Sequence, residues 1–186
     1  MDQKKVDLSA FDNTEYSHGK SKWTYMLWHF VNTLFFRNAL NPSSKLRAMI
    51  LRAFGAKIGK GVVMNKPNIN IKYPWKLTIG DHVWLGENCW IYNMDQVTFG
   101  NNVNIAQGVM LLTGNHNFKS TRFEVFTKPI RIEDGVFLGA MSVVAPGVTC
   151  GSHAVLSVNS VALKDLKPYT IYIGNPAEEK GIRNIE

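Results

Sequence analysis

From Ile132 to Ala162 the chain carries an aliphatic or small residue at every sixth position: Ile132, Leu138, Val144, Cys150, Leu156 and Ala162. The following residue is often small, as at Gly139, Ala145, Gly151 and Ser157. Four places after each key position stands a second small or β-branched residue: Val136, Ser142, Val148, Ala154 and Ser160. A period of six is neither the 3.6 of a helix nor simple alternation, and it marks a repeat. One such hexapeptide has no core of its own. Stacked as short strands joined by turns, successive copies bury one apolar column together. The key aliphatics face inward, and the small residue after each allows a tight corner. Three sides make a triangular coil, and coils stack at the strand spacing of ~4.8 Å.

The same pattern can be followed upstream. It begins at Ile58-Gly59 and Met64, and breaks over 66–76, where Pro67 and Pro74 suggest a corner or short loop. It resumes at Ile79-Gly80, Leu85-Gly86 and Ile91, then slips by two residues to Phe99-Gly100, Ile105-Ala106 and Leu111. The short insertion around 93–96 is expected to bulge outward. A larger polar insertion at 113–128, holding Asn115, His116, Asn117, Lys119 and Arg122, cannot sit inside a coil; loops of this length on a regular scaffold often carry function.

Ahead of the repeats, residues 1–20 are polar and aperiodic, an extended arm or loop. The apolar, aromatic run Trp23–Arg37 predicts a helix too short for a bilayer span. Asn41-Pro42-Ser43 breaks it. Ser43 or Ser44 can cap a second helix through Phe54, which Gly55 ends. The two helices are expected to close one end or side of the coil; a peripheral membrane contact through Trp23, Trp28, Phe35 and Phe36 is the alternative. The chain thus divides into 1–57 (arm and helices), 58–162 (repeats, with the loop 113–128 protruding) and 163–186 (a tail whose charged end suggests a short helix).

Composition narrows this picture only slightly. The 186 residues fit one domain, and the net charge of +7 allows nucleic acid, an anionic membrane surface or an acidic small molecule as partner. No nucleic-acid motif accompanies the charge. Cys89 and Cys150 form no framework or metal spacing, and Cys150 occupies an inward position. Low cysteine use and the lack of a signal peptide favour the cytoplasm.

The repeat, the loop Thr113-Gly114-Asn115-His116, the run from Ser160-Val161 to Lys164-Asp165-Leu166 and the tail Gly174-Asn175-Pro176-Ala177 together resemble the hexapeptide-repeat acyltransferases, in particular those that acetylate sugars. The pattern Leu51–Ile58 with Pro74-Trp75 is similar to the colanic-acid type of bacterial exopolysaccharide pathways. The resemblance implies a mainly β fold, a left-handed parallel β-helix with an N-terminal helical segment. It also implies a homotrimer with active sites between subunits, acetyl-CoA as co-substrate and a saccharide acceptor.

Acetyl transfer to a hydroxyl needs a base for the hydroxyl proton and a donor for the oxyanion. A neutral imidazole suits the first task, and His116 matches the family's catalytic histidine. The implied mechanism is direct attack without an acyl-enzyme. By resemblance, Gly139, Ala140, Asn159 and Ser160 line the pantetheine arm of CoA. Phe137 stands at the CoA groove, and Lys164 and Arg183 are candidates for its phosphates. Asn88, Asn93 and Asp95 are the candidate acceptor contacts. Trp84 and Trp90 could stack on a sugar or fill a subunit interface. Some β-helix relatives are zinc enzymes with close histidine pairs; none exists here, so no protein-held metal is expected. His18, His29, His82 and His153 are expected at the surface or in packing roles, the last two solvated at coil turns. Other small acceptors (a free sugar, serine, an amino sugar, an antibiotic) and a trimeric scaffold without catalysis remain open alternatives.

Overall fold

The computed structural model describes residues 4–14, 16–39 and 43–186. Its body is a parallel β-solenoid with three sides. The first side stacks β1 (Lys57–Ile58), β3 (Leu77–Ile79), β6 (Val97–Phe99), β11 (Ile130–Ile132) and β14 (Thr149–Cys150). The second stacks β4 (Trp84–Leu85), β7 (Asn104–Ile105), β12 (Phe137–Leu138), β15 (Val155–Leu156) and β17 (Thr170–Ile173), with β18 (Glu178–Ile182) at its edge. The third stacks β2 (Asn70–Ile71), β5 (Trp90–Tyr92), β8 (Met110–Leu112), β13 (Val143–Val144) and β16 (Val161–Ala162). The key position and the one two residues before it both point inward, as strand alternation requires. Val136, Leu138, Ser142, Val144, Cys150, Ala154, Leu156 and Ser160 are all fully buried.

The corners stack as regularly as the strands. His82, Asn88, Asn102, Met141, His153 and Asn159 take the left-handed conformation at coil turns, as do Gly108, Gly135 and Gly147. Side-chain oxygens hand the coils to one another: Asp81 accepts from the Lys60 N–H, Asn101 from the Asp81 N–H and Asp134 from the Asn101 N–H. At Gly139 a Cβ would come within 2.7 Å of the Val158 backbone nitrogen in the next coil, so stacking itself requires glycine there.

Several expectations need correction. The break at 66–76 contains β2, with Ile71 buried and paired to Ile91. The segment 93–96 does not simply bulge outward, because Asn93 is buried and tied to the coil before it. The coil runs past Ala162: Leu166 bridges Cys150, and β17 pairs with β15. The charged end of the chain is strand β18, not a helix; it returns antiparallel along β17 and covers that edge. Nor is His153 solvated; it stacks on Tyr169 with ring centroids 4.7 Å apart.

Two helices close the other end. Helix α1 (Lys22–Phe35) is capped by Ser21, and α2 (Ser44–Ala53) by Ser43. Asn41 and Pro42 lie outside the described residues. Trp28, Phe36 and Leu51 are buried against the first coil. The first coil has no strand beneath it, so its carbonyls need other donors. Trp28 Nε1 donates to Ile71 O at 2.9 Å, and Arg52 donates to Ile58 O and Gly59 O. Arg47 is fully buried and donates to Met64 O, Lys66 O and Phe35 O. Its positive charge thereby also meets the carbonyl end of α1, where the helix dipole favours a cation. Burial holds its pKa below the ordinary arginine value, and a guanidinium nonetheless stays protonated in a protein. Trp28 and Phe36 are therefore core residues, and the membrane contact expected of them is excluded.

Replacing Arg47 with Met should take the donor from four carbonyls, the long contact to Asn38 O at 3.4 Å being the weakest, and lower stability by about 3 kcal/mol, at ~1 kcal/mol for each of the three close acceptors left unpaired. Replacing the exposed Arg52 with Met should cost less than half of that. Urea denaturation of the two variants measures the difference.

Candidate active site

The site grows from one widened edge of the prism, between the third and first sides. There the inward positions of the first two coils stand eight residues apart, Ile71 to Ile79 and Ile91 to Phe99, where six would suffice. The enlarged corners lock together. The Tyr73 N–H donates to Asn93 Oδ1 at 2.9 Å, and Asn93 Nδ2 donates back to Tyr73 O and to Lys76 O. Thr113 continues the stack, its hydroxyl donating to Tyr92 O and accepting from the Asp95 N–H. In the third coil the corner opens fully into an antiparallel hairpin, β9 (Gly114–His116) with β10 (Val125–Thr127).

His116 lies opposite Val125 in this hairpin. Its Nδ1 is 2.8 Å from Phe123 O. A carbonyl can only accept, so Nδ1 carries the proton and Nε2 is left with the free lone pair. The Phe123 ring stacks on the imidazole at 4.5 Å and 11°, and Phe11 from the N-terminal arm tilts against it at 5.9 Å. One residue thus fixes both the edge and the plane of the imidazole. Phe123 adopts φ 52°, which turns its carbonyl toward the ring.

Directly paired strand residues project to one face, as do residues two apart. His116, Val125 and Thr127 therefore share a face. Val125 and Thr127 line a cleft of about 360 Å³ with Asp12, Asn13, Thr14, Tyr16, Arg122 and Glu124. Thr127 donates to Asp95 Oδ2 at 3.2 Å, which ties the Asp95 carboxylate to a residue that lines the cleft. Glu124 is held below the usual carboxylate range by hydrogen bonds, that of Ser120 foremost, and so remains ionised. Burial pushes the Tyr16 phenol up to about 12; neutral, it donates to Met94 O at 2.9 Å. The arm is fastened further by Trp75 Nε1 to His18 O and Lys76 Nζ to Ser17 O.

Among the expected acceptor residues, only Asp95 bonds to a residue of this cleft. Asn93 is buried with its amide engaged, so it cannot contact an acceptor. Asn88 is exposed at a coil corner, where its Oδ1 accepts from Asn68. Trp84 and Trp90 point outward from different sides.

Most of the expected donor-binding residues lie on the fourth and fifth coils. Ala140 and Phe137 are half-buried, and Asn159 is exposed. Ser160 is buried; its hydroxyl donates to Val158 O and accepts from the Gly174 N–H, so its side chain is not available to a ligand. The Gly174–Ala177 turn docks on the fifth coil through this contact and the bond from Ala177 N–H to Val161 O. Arg183 Nη1 is committed to Gly135 O and His153 O, which makes it a brace for the tail in place of a phosphate ligand. Lys164 is exposed and forms no ion pair among the described residues. Among those residues no cluster of three His, Cys, Asp or Glu could hold a metal.

Sequence reasoning missed Phe123, Thr127, Phe11 and Tyr16. No local signal marks them, because their roles depend on hairpin register and on where the arm lands. The bond to Phe123 O requires that neutral His116 be the Nδ1–H tautomer. Long-range proton–nitrogen NMR should show this; a dominant Nε2–H form would contradict the geometry.

Residues 129–162 match the family model described as the hexapeptide repeat of succinyl-transferase. The chain is 37% identical over 171 residues to the colanic acid biosynthesis acetyltransferase WcaF of Escherichia coli K12, covering 92% of this chain and 93% of that protein. It is 30% identical over 143 residues to the galactoside O-acetyltransferase of the same organism, covering 75% and 70%. The crystal structure of a hexapeptide-repeat acetyltransferase from Vibrio cholerae, complexed with acetyl coenzyme A, superposes with a TM-score of 0.72 at 26% identity, covering 79% of this chain and 81% of that one. The chain belongs to the hexapeptide-repeat acetyltransferases.

Proposed function

We propose that this protein transfers an acetyl group from acetyl-CoA to a hydroxyl of a saccharide in exopolysaccharide assembly, with His116 as general base. The observation that carries the reading is the Nδ1–H bond to Phe123 O, which leaves the Nε2 lone pair free, on the hairpin face shared with the cleft-lining Val125 and Thr127. His116 Nε2 takes the proton of the acceptor hydroxyl as its oxygen bonds to the thioester carbonyl carbon. The imidazolium then returns a proton as the carbon–sulfur bond breaks and CoA leaves as the thiol. A main-chain N–H stabilises the tetrahedral oxyanion. The polar cleft with Glu124 and Asp12, and Asp95 bonded behind Thr127, suits a polyhydroxylated acceptor, because carboxylates accept hydrogen bonds from sugar hydroxyls.

The outer edge of the fourth and fifth coils fits the donor. Ala140 and the exposed Met141 and Val158 form a shallow, apolar strip for a thin pantetheine arm, and the unpaired ammonium of Lys164 suits a phosphate. Gly139 keeps the main chain narrow there. Those groups lie one and two coils beyond the hairpin's root along the stack. A homotrimer reconciles the two halves by setting one copy's hairpin beside its neighbour's edge. The identities to WcaF and to galactoside O-acetyltransferase support a saccharide acceptor.

His116→Ala should lower turnover by about 10²–10⁴-fold, the usual worth of a general base, with CoA affinity in calorimetry close to that of the parent. Turnover near that of the parent would remove His116 from the chemistry. Asp95→Asn should raise the acceptor's KM while leaving that of acetyl-CoA unchanged, as read by thiol release against a panel of saccharides.

A further inference from the structure

Helix α1 has two apolar faces, and the fold uses one. At about 100° per residue, the buried Trp28 and Asn32 and the half-buried Val31 and Phe35 occupy one side. Trp23, Met26, Leu27, Phe30 and Leu34 gather on the other. All five are exposed, Trp23 by 79% and Phe30 by 62%. Met49 of α2 is likewise open to solvent. Scattered surface apolar residues need no explanation, but a contiguous stripe of this size on one helix does.

The charge around this stripe is one-sided. Residues 16–80 contain eleven of the chain's 21 lysines and arginines and none of its 14 aspartates and glutamates. Lys20, Lys22, Arg37, Lys45, Arg52 and Lys57 are exposed; of the eleven only Arg47 is buried. The remainder of the molecule is net acidic. No helix among the described residues is long and apolar enough to cross a membrane.

From these observations we infer that the capped end of the solenoid docks on an anionic lipid bilayer, with α1 lying in the plane of the interface. Trp23, Leu27 and Phe30 enter the headgroup–acyl boundary, and the surrounding lysines and arginines meet lipid phosphates. A second copy seated face to face would set like charges against like, which opposes that occupant. A soluble polyanion would satisfy the charge but leave the aromatic stripe in water. The arm that lines the cleft beside the hairpin runs directly into α1, so docking brings that cleft, the acceptor site of the proposed function, to the lipid surface. The surface does not depend on the catalytic reading, since none of its residues enters the site.

The test is flotation of the full chain with vesicles of phosphatidylcholine alone and with phosphatidylglycerol mixed in. The expected result is recovery with the anionic vesicles, little with the neutral ones, and release as salt screens the charge. The double variant Trp23→Ser/Phe30→Ser should lose at least about tenfold in bound fraction, the order expected when two aromatic anchors are removed, with an unchanged circular-dichroism melt, because both side chains are exposed. Lys22→Glu/Arg37→Glu should lose binding to anionic vesicles while keeping the same melt. Failure to float with anionic vesicles would overturn the inference, as would binding that survives Trp23→Ser/Phe30→Ser. Self-association without vesicles that the same double variant abolishes would assign the stripe to a second copy instead and equally overturn it.

Discussion

A solenoid has two open ends, and each exposes a row of backbone carbonyls and N–H groups with no strand to meet them. Everything else in this molecule depends on how those rows are satisfied. At the C-terminal end the answer is a returning strand, β18 on β17. At the N-terminal end it is side chains: Trp28, Arg47 and Arg52 supply the N–H donors that a further coil would have supplied. Arg47 is the costliest of these choices. A guanidinium in a core is tolerated here because carbonyls surround it, and the carbonyl end of α1 contributes part of that environment. The helices are thereby fixed to the first coil, and the arm leading into α1 is fixed with them.

The second organising feature is the widened edge. Strands on all three sides repeat with little variation, yet the corner between the third and first sides grows along the stack. It holds a short 3-10 turn after Tyr73, a tight loop at 93–96, and then a full hairpin. Asn93 and Thr113 bind the successive corners to one another. The hairpin therefore rises from a stacked, hydrogen-bonded base. His116 inherits that rigidity and adds to it the double hold of Phe123, through a carbonyl and a ring. Positioning by groups that are themselves fixed is what the proposed general-base role of His116 requires.

The solenoid is legible in the sequence wherever corners have a constant length. From Ile132 to Ala162 the period is unbroken, and the inward positions follow directly. It becomes illegible where a corner gains or loses residues. Ile71 follows Met64 by seven places and precedes Ile79 by eight, so its strand is hidden between two prolines. Leu166 follows Cys150 by sixteen residues where eighteen would keep the period, and the last coil passes for a tail. His116 is visible because it stands in a polar insertion with a recognisable motif. Its holder is not, because nothing about Phe123 announces which carbonyl a hairpin register will deliver. Asn93 and Arg183 mislead for one reason: a polar side chain that satisfies buried or peripheral carbonyls has the same letters as one that awaits a ligand.

Coil pairing closes across the hairpin without a slip. Phe99 still faces Ile132, and Leu111 still faces Val144. The scaffold is thus indifferent to what is spliced in at that point. Evolution can lengthen, trim or rewrite the hairpin tip beyond His116, between Asn117 and Arg122, while Thr113 and the folding code of the prism stay untouched; under the proposed function, the same tip is a natural graft point for an engineer seeking a transferase with new tastes.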